Sequence, residues 1–205
     1  VHIAHGDITT KKGVTASNIV SKIGNFVKQY AHDMHYKASN FQEIIHIVDM
    51  DGAYAPDSVI IEDPEAQKPI YNVTEIRTKN PENIVNRNEQ KRSNIDRLKS
   101  TGQIWNLPYS IYFMSCNFDP ALYGKLNSSD EEKERDAYLF AKKYRDDIPG
   151  FLTYINRSDF SVGSDYKESW KYITEGLRSL ERHTNLGLCL PDIEPSENIG
   201  NNQEM

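Results

Sequence analysis

The sequence predicts an α/β protein, a parallel-sheet Rossmann-like core followed by a helical carboxyl-terminal part. Three observations predict it. An amphipathic stretch from Ser17 leads into the nearly continuous apolar run Ile44-Ile45-His46-Ile47-Val48, a second helical stretch from Asn80 leads into another such run at Pro108 to Met114, and helical spacing dominates after about residue 125. Strands alternating with helices are the pattern of parallel strands joined by helical crossovers. A chain of 205 residues is long enough for one well-filled core with an appendage. The expected organisation is an α/β core over 1–125, with 53–78 inserted as a loop or hairpin, a helical subdomain over 126–190 and a flexible tail over 191–205.

Each element has a local reason. Val1 to His5 alternates like a short strand, and His5-Gly6-Asp7 supplies the turn that ends it. Ile19, Val20, Ile23, Phe26, Val27 and Tyr30 then fall on one face of a helix. Residues 44–48 are rich in β-branched side chains and suit a strand covered on both faces. Pro56, Pro64 and Pro69 interrupt the next stretch, which still holds two β-prone pieces, Ser58 to Ile61 and Tyr71 to Ile76. Asn80, Pro81 and Glu82 combine a cap, a first-turn proline and an acid at the positive end of the helix dipole, so a helix is expected to about Lys99. A strand over Pro108 to Met114 follows. Ser129 with Glu132 forms a capping box before a helix to about Asp146, and Asp165 with Glu168 resembles another ahead of Trp170, Ile173, Leu177 and Leu180.

A net charge of −6, with 26% charged and 38% hydrophobic residues, excludes a disordered chain and a globally basic nucleic-acid binder. No run approaches the roughly 18 to 20 apolar residues that cross a bilayer, and no basic-then-apolar leader opens the sequence, so no membrane partner and a cytoplasmic location are expected. Two cysteines, Cys116 and Cys189, are too few for a disulfide scaffold or a cysteine zinc site.

The chemistry concentrates at Asp49-Met50-Asp51-Gly52. Side chains at i and i+2 of a strand point the same way, so Asp49 and Asp51 are expected to project together from the carboxyl end of the 44–48 strand, where open α/β sheets bind ligands. Their mutual repulsion invites a hard cation, Mg²⁺ or Mn²⁺, which would stabilise charge on a phosphodiester and generate a hydroxide nucleophile. The same four residues also read as a plain turn after a strand. If the 108–114 strand runs parallel, Asp119 reaches the same rim as a further metal carboxylate and Asn117 as a hydrogen-bonding partner. His5 and Asp7 end the first strand on that side and are candidates for supporting or substrate-contacting roles. Arg77, Lys79, Arg87, Lys91 and Arg92 form a local basic excess suited to a phosphate backbone, of DNA or RNA, although a solvated helix face reads the same way.

These segments resemble the TOPRIM domains of nucleases, in particular the RloB-like and overcoming-lysogenization-defect branches of bacterial phage defence. The resemblance covers roughly residues 1–125. It rests on Ile44 to Gly52, which is similar to the family's apolar strand carrying Asp-x-Asp, and on Ser115-Cys116-Asn117-Phe118-Asp119-Pro120-Ala121-Leu122, which is similar to a segment in which Asn precedes Phe-Glu. It implies metal-dependent nuclease activity. In that family the acid-base glutamate lies on a strand before the one expected at Val1 to His5, a position upstream of Val1. Two other readings stand beside it: a haloacid-dehalogenase-like phosphatase with Asp49 as nucleophile and Asp51 as acid-base, and a non-catalytic scaffold whose helical carboxyl half binds a protein partner.

Overall fold

The computed structural model describes residues 6–115, 127, 129–163 and 165–190. The expected first strand with His5, the candidates Asn117 and Asp119, and the expected tail lie outside the described residues. The chain is mixed α/β. Helix α1 (Ile19–Asp33) precedes strand β1 (Ile44–Asp49). Three short strands follow, β2 (Ile60–Glu62), β3 (Ile70–Tyr71) and β4 (Ile76–Thr78), before the long helix α2 (Pro81–Lys99). A hairpin of β5 (Gln103–Ile104) and β6 (Leu107–Met114) leads to helices α3 (Asp130–Tyr144), α4 (Ile148–Arg157) and α5 (Tyr166–Ile173).

β1 and β6 pair in parallel, with Ile44 beside Tyr109 and Asp49 beside Met114. The sheet order β1-β6-β5 is nevertheless mixed rather than wholly parallel, because β5 folds back on β6. That hairpin turns on Trp105 and Asn106, both at positive φ (54° and 60°), the backbone a tight two-residue turn requires. Tryptophan is not a usual turn residue, so the sequence carries little signal for it. The inserted segment forms its own small sheet, in the order β2-β4-β3.

The helices start where local chemistry says they should. Asn80 Oδ1 accepts from Asn83 N at 3.2 Å, with Pro81 in the first turn. Asn80→Ala is therefore expected to cost about 1 kcal/mol of stability, measurable as a lowered urea midpoint at constant slope. Ser129 and Glu132 form the reciprocal capping box. α4 lies beyond the helix expected to end near Asp146, and Asp147 caps it by accepting from Gly150 N at 2.9 Å, with Pro149 in its first turn.

Alternation along β6 splits the core. Tyr109, Ile111 and Phe113 join Val48, Met50, Ile19, Ile23, Ile95 and Leu98 on the face covered by α1 and α2. Tyr112 and Met114 meet Ile155 of α4 and Phe140 of α3 on the other. Trp170 and Ile173 of α5 enter the first cluster, so the helical half shares the sheet's core. β1 departs from the expectation of cover on both faces: Ile45 is 41% and Ile47 43% exposed. Among the described residues β1 is an edge strand, and the cluster containing α3 and α4 gathers Tyr112 and Met114 of β6 and no residue of β1. No described helix is long and apolar enough to cross a membrane.

Candidate functional site

The Asp49 to Gly52 segment leaves the sheet abruptly. Asp49 is the last residue of β1. Met50 donates its N–H to Met114 O at 2.9 Å and is fully buried. Asp51 and Gly52 then adopt positive φ, 46° and 67°. Aspartate tolerates this backbone better than most residues. The expectation of two carboxylates projecting together along one strand face is corrected here: Asp51 lies beyond the strand in the left-handed turn, and its side chain reaches α2.

What it meets there is Lys91. This side chain is fully buried, with Nζ 2.6 Å from Asp51 Oδ2 and 3.3 Å from Asp7 Oδ2. Burial opposes its charge, but Asp51, Asp7 and Asp49 together outweigh that, and the ammonium titrates above the usual lysine range. Lys91 therefore joins the carboxylate cluster instead of offering its charge to a phosphate backbone, contrary to the reading of α2 as a solvated basic face. The buried residues Ile84, Asn88, Lys91, Ile95 and Leu98 recur at spacings of four, three, four and three, one continuous helix face. A lysine inside that apolar register was the signal that could have placed it.

Asp7 is prepared for the same contact. It accepts from Thr9 N at 2.8 Å, from the Thr9 hydroxyl, and from Thr10 Oγ1 at 2.8 Å. Burial pushes its carboxyl up, yet Lys91 and the threonine donors prevail and hold it below its ordinary value. Asn94, also fully buried, donates to Thr9 O at 2.7 Å, and Gln90 donates to Lys11 O and Val14 O at 3.0 Å. Neither residue stands out in the sequence.

His46 faces this cluster from β1, with Nδ1 2.8 Å from the Tyr109 hydroxyl. Burial drives its pKa down to about 4, with Asp7 acting upward and Lys91 downward. The native state thus holds a neutral imidazole that the unfolded chain protonates below the ordinary value of 6.5. Its contribution is present above pH 6.5 and lost as pH falls toward 4, an expected loss of about 2 to 3 kcal/mol. Urea denaturation at a series of pH values should show this slope, and His46→Asn should remove it.

The other basic candidates divide by exposure. Arg87 donates to Asp51 O at 2.7 Å, to Asn88 Oδ1 at 2.6 Å and to the Tyr71 hydroxyl, so it braces the turn and ties it to the inserted sheet. Asn88 donates to Gly52 O at 3.3 Å. Arg77 is exposed and paired with Glu75 at 2.6 Å, Lys79 is exposed, and Arg92 lies 4.0 Å from Asp57. Asp96 accepts from Lys99 and from the Tyr54 hydroxyl.

The β1–β6 register brings Ser115, which follows Met114, to the rim where Asp49 ends. Among the described residues no group of three or more His, Cys, Asp or Glu has metal-holding geometry. Mg²⁺ takes oxygen donors, commonly one or two carboxylates with water on its remaining positions, and carboxylate oxygens are what Asp49 and Asp51 carry. Asp51 keeps 23% side-chain exposure while Lys91 engages its Oδ2. Compared with known proteins, the chain matches no family model, no curated protein and no solved structure.

Proposed function

We propose that this chain is a divalent-metal-dependent, phosphodiester-cleaving domain of TOPRIM-like kind, acting on DNA or RNA, with Asp49 and Asp51 as the residues that hold Mg²⁺ or Mn²⁺. The observation that carries this reading is the placement of both aspartates at the carboxyl end of a strand in a parallel pair, beside a buried lysine that neutralises part of their charge. The cation would supply Lewis-acid stabilisation of charge developing on the phosphodiester. Lys91 fixes the Asp51 carboxylate, and Arg87 and Asn88 hold the backbone of the turn that carries it. Arg77, Lys79 and Arg92 supply surface charge along which a phosphate backbone would run.

The test is cleavage of supercoiled plasmid and of labelled single-stranded RNA with Mn²⁺ or Mg²⁺. Cleavage that EDTA abolishes and Asp49→Asn reduces to background is the expected result. Phosphate release from small monoesters without nucleic-acid cleavage would replace this reading with an aspartate-based phosphatase. Absence of cation binding together with stable capture of a protein partner would leave the scaffold.

A further inference from the structure

Resting on the metal-dependent reading, we infer that Lys91 is a built-in cation lodged between Asp7 and Asp51, so that the centre takes one divalent ion, at Asp49 and Asp51, and Asp7 is the counter-ion of Lys91 rather than a metal ligand. The two Lys91 contacts, 2.6 Å to Asp51 and 3.3 Å to Asp7, place Nζ where an ion bridging those two carboxylates would sit. The ammonium has no way to step aside. Its side chain is fully buried, and α2 is tied to the 7–14 segment by Asn94 and Gln90 on the turns beside it. A second dication would press against that buried positive charge, in a setting of low polarisability where like-charge repulsion is strong.

Charge balance gives the same count. The three described carboxylates Asp7, Asp49 and Asp51 carry three negative charges, and Lys91 with one dication supplies three positive ones. A two-ion clamp on the attacking and leaving oxygens is therefore not built here. Lys91 takes the second ion's place as a positioning residue, keeping Asp51 aimed without itself binding the cation.

The decisive measurement is the stoichiometry of Mn²⁺ binding, by calorimetry and by the paramagnetic resonance of bound Mn²⁺, on the full chain. One ion per wild-type chain is expected, one in Lys91→Arg, and two in Lys91→Met, the second lost again in Lys91→Met with Asp7→Asn. Two ions in the wild type, with the exchange-coupled spectrum of a close pair, would overturn the inference and leave metal dependence intact. A single ion in a folded Lys91→Met would also overturn it. No bound ion in the wild type would instead overturn the metal-dependent reading on which it rests. Should Lys91→Met fail to fold, the wild-type count still decides.

Discussion

Lys91→Met is expected to lower the free energy of unfolding by about 3 to 5 kcal/mol, the range for removing one partner of a buried ion pair. Methionine preserves much of the stem's volume, so the loss reports the charge. Asp51 Oδ2 and Asp7 Oδ2 lose the donor they share, and two nearby carboxylates are left facing each other. A triple variant, Lys91→Met with Asp51→Asn and Asp7→Asn, should recover most of the loss, because a neutral hydrogen-bonded cluster escapes the penalty of unpaired charge. Urea denaturation of the single, double and triple variants separates the terms as a mutant cycle.

The pH dependence has a defined sign. The folded pKa of Asp7 lies below its ordinary 3.8, so its contribution is present above that value and lost as pH falls through the folded pKa. Lys91 titrates above its ordinary 10.5, so its contribution is present below 10.5 and lost as pH rises through the folded value. Lys91→Met should flatten both ends. A practical consequence concerns catalytic knock-outs: Asp51→Ala leaves a buried ammonium half-paired and mixes lost chemistry with lost stability. Asp49→Asn is the cleaner probe.

Gly52→Ala is expected to be nearly as damaging, about 2 to 5 kcal/mol. Part is backbone strain, about 1 to 2 kcal/mol for a side chain held at left-handed φ, here +67°. The rest is crowding of about 1 to 3 kcal/mol, because the added Cβ would lie 2.4 Å from Leu180 Cδ2 and 3.0 Å from Ile76 Cδ1. Leu180 arrives with the 177–181 segment, whose Ser179 O accepts from Gly52 N at 3.0 Å. The turn bearing Asp51 is thus clamped by a segment far away in sequence. Leu180→Ala should relieve the contact, so the double variant should lose less than the sum of the two single losses in chemical denaturation. Additive losses would show that strain alone sets the cost.

The sequence by itself determined the elements whose signals are local. The 3.6-residue spacing from Ile19, the Asn80-Pro81 start of α2, the Ser129–Glu132 box and the apolar runs that became β1 and β6 depend on neighbours a turn or less away. It also identified Asp49 and Asp51 as residues at a strand end. Four things needed the tertiary structure. Nothing local separates a lysine on a solvated helix face from one buried under two aspartates, so Lys91 read as a phosphate contact until α2 was packed against the turn and the 7–14 segment. The direction of Asp51 depended on the left-handed turn that Ser179 and Leu180 enforce from the other end of the chain. The exposure of Ile45 and Ile47 depended on which elements cover each sheet face, which periodicity does not encode. The environment of His46, set by Tyr109, Asp7 and Lys91, joins residues as distant in sequence as Asp7 and Tyr109. Local signals fixed the carboxylates, whereas burial and charge pairing, which arise only when distant segments meet, decided what surrounds them.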